Sequence, residues 1–136
     1  MFRINSALCG LFLVLCVVHS PLRAAEADSE IAYIEVEPVI ITNYLRAKGK
    51  KPGFVQLQVQ IAVKGTEAAN AIEKHQPLIR DTIIEFLSFT DEGTIKDVSK
   101  RVEFRDTLKA TVNQVLSKHL GYPYAEELVI THYMHG

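Results

Sequence analysis

Val55, Leu57, Val59, Ile61 and Val63 alternate with Gln56, Gln58 and Gln60. This period of two is what a strand needs when one face is buried and the other is wet. Upstream, Ile34 and Val36 alternate with Glu35 and Glu37, so Tyr33 to Ile41 reads as a strand, with Pro38 demanding an edge or a bulge. The polar, basic stretch from Asn43 to Gly53 is the loop between them, short enough for an antiparallel hairpin. After Gly65 the period changes. Ala68, Ile72, Ile79, Ile83 and Phe86 recur at near-helical spacing through Leu87, with Thr66 placed to cap and Pro77 placed to kink the helix or split it. A second helix is predicted to start between Thr94 and Asp97, a pattern like a capping box. Val98, Val102, Leu108, Val112, Val115 and Leu116 form its expected buried stripe. Gly121 and Pro123 end that helix, and Leu128 to Tyr133 closes the chain as a strand. Strand, strand, helix, helix, strand predicts an α+β fold. Two helices cover one face of a small antiparallel or mixed sheet. The glutamine face is then solvated or an assembly surface.

The chain has 136 residues, of which 48% are hydrophobic, and this suits one domain with a real core. Its formal net charge of −1 gives no basic stripe for nucleic acid. The short cluster Lys48, Lys50 and Lys51 reads as a solvated loop. The amino terminus changes the picture more. A positive start at Arg3, an apolar run from Ala7 to Val18, a break at His19-Ser20-Pro21 and small residues at Ala24, Ala25 and Ala27 follow the order of a secretory signal. Cleavage sites are offered by Ala25-Glu26-Ala27 and by Leu22-Arg23-Ala24. The alternative is an uncleaved membrane anchor, for which the apolar run is short. Residues 1–27 are thus assigned to export, 28–31 to a short linker and 32–136 to a single exported domain. Both cysteines, Cys9 and Cys16, fall in the export segment, so the mature chain has neither a disulfide nor a thiol nucleophile.

Candidate chemistry is sparse. His132 and His135 lack a partner pair at helical spacing, and a site made from the distant His75 and His119 has no support in the pattern. There is no nucleophile elbow and no phosphate-cradling glycine loop. Glu73 and Asp81, eight residues apart on the predicted helix, share a face, and a solvated surface explains them better than a pair of catalytic carboxylates. From the residues alone the chain is an exported, non-catalytic α+β interaction domain without a cofactor.

One family comes to hand on these residues. Tyr33 to Ile41, with its aromatic, alternating strand and Glu37-Pro38, resembles the opening strand of the flagellar basal-body-associated FliL family. Phe54 to Val63 is similar to that family's long second strand. His75-Gln76-Pro77-Leu78-Ile79-Arg80-Asp81 and then Ile83 to Ser88 resemble its most distinctive stretch, a proline-containing helix with Ile-Arg-Asp and a closing Leu-Ser. The charged helix near Lys100 to Arg105 and the closing strand from Val129 to Tyr133 fall in the same order. The resemblance spans Tyr33 to Tyr133 and implies a periplasmic domain beside the flagellar motor. Such a domain associates with stator units and inner membrane, supports swimming, swarming and chemotaxis, and forms rings of copies. It also implies a fold similar to stomatin-like scaffolds, and brings no catalytic residue, metal or cofactor. Pro77, Arg80 and Asp81 become the candidate partner contact, the alternative being that Arg80 and Asp81 only dress the helix surface. Typical members carry a cytoplasmic tip and a spanning helix, whereas here the start reads as a signal. Rival readings are a stomatin-like scaffold of another inner-membrane complex, and a small periplasmic ligand-binding protein or hydrolase, which would need a deep pocket.

Overall fold

The computed structural model describes residues 29–48 and 51–136. The export segment 1–27 and Lys50 of the basic cluster lie outside the described residues. Along the chain run β1 (Ile31–Glu35), β2 (Ile40–Tyr44), β3 (Gly53–Lys64), α1 (Thr66–Lys74) and α2 (Gln76–Ser88). They are followed by α3 (Glu92–Lys96), a 3-10 turn (Val98–Lys100), α4 (Arg101–Leu120) and β4 (Glu127–His135). The fold is α+β, an open antiparallel sheet with helices on one face.

β3 is the central strand. It pairs with β1 from Ile31↔Lys64 to Glu35↔Gln60, with β2 from Ile40↔Leu57 to Tyr44↔Gly53, and with β4 from Val55↔His135 to Ala62↔Glu127. A strand has only two edges, so β1 and β2 lie end to end along one edge of β3 and β4 takes the other. The single strand expected from Tyr33 to Ile41 is therefore two. Val36 still donates its N–H to Val59 O at 2.9 Å, and then Pro38, which has no N–H to give, stands in the break between the strands. β2 runs on into the stretch expected to be loop. Tyr44 is buried there, and its hydroxyl donates to Gly136 O at 3.0 Å. Its ring lies over Gly53, where any Cβ would collide with it.

The alternation on β3 places Val55, Leu57, Val59, Ile61 and Val63 fully inside. Against them pack Ile72 of α1, Ile79, Ile83 and Leu87 of α2, and Phe104, Leu108, Val112 and Leu116 of α4. The long helix expected from Thr66 to Leu87 splits at His75, and Pro77 sits in the first turn of α2, where its missing N–H costs little. Glu73 and Asp81 consequently lie on different helices and do not form the shared face that one continuous helix predicts.

The caps also differ from expectation. Gly65, not Thr66, precedes α1. Asp91 accepts the Thr94 N–H at 3.0 Å to start α3, and Asp97 accepts the Ser99 N–H at 2.9 Å to start the 3-10 turn. These bonds favour the ionised carboxylates. Asp91 is held below the ordinary carboxylate pKa first by the Thr94 N–H, and Asp97 first by the Ser99 hydroxyl. Because α4 begins only at Arg101, Phe104 sets the phase of its buried stripe. Val102, about 200° away round the helix, is 61% exposed, and Val98 lies outside the helix at 75%. Gly121 ends α4 at φ 81°, a left-handed position that suits glycine. Asn113 then holds the return to β4 with paired bonds. Its Nδ2 donates to Ala125 O at 2.8 Å, and its Oδ1 accepts the Ala125 N–H at 3.0 Å.

Candidate functional site

Pro77, Arg80 and Asp81 all lie on α2, but they do not point to one task. Arg80 donates from Nη1 to the carbonyl of Pro38, and one turn earlier Gln76 donates to Glu35 O at 2.8 Å. The start of α2 therefore clamps the break between β1 and β2. Arg80 is half-buried in this role, whereas Pro77 and Asp81, four residues apart on one helix face, are exposed.

The sheet face away from the helices is the larger surface. Register places Ile31, Tyr33, Ile41, Phe54 and Met134 on it with the three glutamines. These five apolar side chains are between 42 and 61% exposed. Gln56, Gln58 and Gln60 are only half-buried among them, and Gln58 donates to the Glu35 carboxylate. The glutamine period revealed this face in the sequence. Apart from Phe54 on β3 itself, its apolar rim comes from three other strands, and only their register assembles it.

Among the described residues no three potential metal ligands cluster. His75 spends Nδ1 on Ala71 O at 2.7 Å, and His119 is exposed on α4. Residues 33–135 match the family described as flagellar basal body-associated protein FliL. This chain belongs to the FliL family. No curated protein matches the chain.

The FliL match begins inside β1 and ends at the last residue of β4, so it takes in both surfaces just described except for Ile31. Membership makes the chain an accessory protein of the flagellar basal body, in a family without enzymatic activity. No helix among the described residues is long and apolar enough to cross a membrane.

A further feature of this FliL domain is a groove of about 440 Å³ between the start of α4 and β4. Arg101, Val102 and Arg105 form one side, and Leu128, Ile130 and Tyr133 line the other. Arg101 stacks with Cζ 3.2 Å from the centre of the Tyr133 ring, and Tyr133 donates its hydroxyl to Ile95 O at 2.8 Å. Burial pushes the Tyr133 phenol above its ordinary pKa, and the Arg101 charge opposes that shift. None of these groove residues stood out as a site in the sequence. The two arginines one helical turn apart were a signal, but the edge strand beside them was not visible.

Proposed function

We propose that this FliL-family chain acts by binding, as an exported domain that meets the stator units of the flagellar motor at the periplasmic face of the inner membrane. Copies of the chain assemble around those units in a ring and support rotation, and so swimming, swarming and chemotaxis. The family match over residues 33–135 carries this reading. The exposed apolar sheet face supports it, because contiguous apolar surface in water is characteristic of interaction sites. The amino-terminal order of charge, apolar run, breaker and small residues supports export. Pro77 and Asp81, which the fold leaves free of packing, are the contact we assign to the partner, with Arg80 holding their helix to the sheet.

A cysteine at position 81 is the direct test, since Cys9 and Cys16 both lie in the export segment. In cells carrying Asp81→Cys, a periplasmic crosslinker should join the chain to a stator subunit. Deleting the chain should shrink swim zones. Normal swimming without the chain, together with no stator adduct, would sink the proposal.

A further inference from the structure

We propose that the outer edge of β4, together with the start of α4 beside it, is a strand-addition site for an extended segment of a partner protein that carries an acidic side chain. Phe54 and Gly136 exchange both backbone hydrogen bonds, at 3.1 and 3.0 Å. Antiparallel ladders alternate, so on β4 Met134 and His132 turn their backbone groups toward β3, while His135 and Tyr133 turn theirs outward. No described residue takes those outward groups. The strand is nine residues long, Glu127–His135, and contains neither proline nor lysine, two usual guards of an exposed edge, though a bulge leaves Thr131 over between the pairs Gln58↔His132 and Val59↔Ile130 and bends the edge there. A peptide laid along it gains main-chain bonds for affinity and places alternate side chains against the groove for specificity.

The groove defines which side chains fit. Val102, exposed, and Ile130, half-buried, offer apolar contact. Arg101 and Arg105, one turn apart on α4, line the same groove. Nη1 of Arg101 is buried and has no hydrogen-bond partner among the described residues, an unsatisfied donor that a carboxylate would satisfy. Among the described residues Arg105 is tied only to its neighbour Asp106, at 3.0 Å and partly exposed, and such a pair is readily exchanged. Glu127 also borders the groove, but it sits opposite Ala62 on the open face of the sheet, away from α4. A carboxylate between two guanidiniums, with apolar residues on either side of it in alternation, is the complement of this surface. The edge would accept such a segment whether or not the chain works at the flagellum.

The probe is a fluorescein-labelled peptide of about nine residues, matching β4, that alternates valine and threonine with glutamate at its centre. Anisotropy titration of the purified protein should show saturable binding. A twin with central lysine should bind roughly tenfold more weakly, the equivalent of one charge-assisted hydrogen bond. A twin N-methylated at alternate residues should not bind. Arg105→Glu, which leaves the Arg101–Tyr133 stack in place, should keep its circular dichroism spectrum and reverse the preference between the glutamate and lysine peptides. Equal binding of those two peptides, binding of the N-methylated twin, or no binding at about 1 mM overturns the site. So does sedimentation showing that a second copy occupies the edge, as a dimer that Arg105→Glu dissolves.

Discussion

Val59 at the middle of β3 and Val112 at the middle of α4 are both fully enclosed, so truncating either to alanine removes buried methyl groups and leaves a cavity. Each change should lower unfolding free energy by about 1–3 kcal/mol in urea titrations. Gln58→Thr, on the half-exposed face, should change it by no more than about 0.5 kcal/mol. A larger loss at Gln58 than at Val59 would contradict the register of β3. Gly53 is the stricter position. A methyl group there meets the Tyr44 ring, so Gly53→Ala should destabilise more than Tyr44→Phe, which gives up only the hydroxyl bond to Gly136 and should cost about 0.5–1.5 kcal/mol. Arg80→Ala removes the bond to Pro38 O and loosens α2 from the β1–β2 break. Its melting temperature should fall, whereas Asp81→Ala should leave melting unchanged. The reverse order would mean that Asp81, not Arg80, holds the helix.

Among the elements, α3 and the 3-10 turn depend on charge. Asp91 and Asp97 are ionised caps whose pKa values are lower folded than unfolded. Their contribution is present above the ordinary carboxylate range and is lost as pH falls through the lowered values. Thermal melts at decreasing pH should therefore show a loss of stability that the double change Asp91→Asn, Asp97→Asn makes shallower, since asparagine still caps but does not titrate. An equal slope in both proteins would remove the caps from the acid response. These caps also show where the sequence was legible and where it was not. Thr94 and Asp97 marked the correct region, but whether Asp97 caps from outside the helix or sits within its first turn depends on where α4 docks. Phe104 decides that by packing between Phe86 and Tyr133, with ring centres 5.6 and 5.9 Å away. The β3 strand was legible because a period of two over its whole length has only one reading. Pro38 announced an interruption, but a bulge and a full break look alike until the partner strand is seen.

For the whole molecule, the class of fold followed from the order of periods, and the family from the order of short patterns between Tyr33 and Tyr133. The surfaces were less legible. Tyr33, Ile41 and Met134 are far apart in sequence and adjoin β3 only through pairing, and the groove needs α4 and β4 together. An apolar open face and an edge strand without proline or lysine are what a binding protein of the basal body would present. On the proposed function, the motor works better with this chain bound to it. Rotation of tethered cells tests that most directly, in a strain lacking the chain and again with the wild-type chain restored. Rotation should be slower without the chain and recover on its return. Unchanged rotation in its absence would contradict the proposed function.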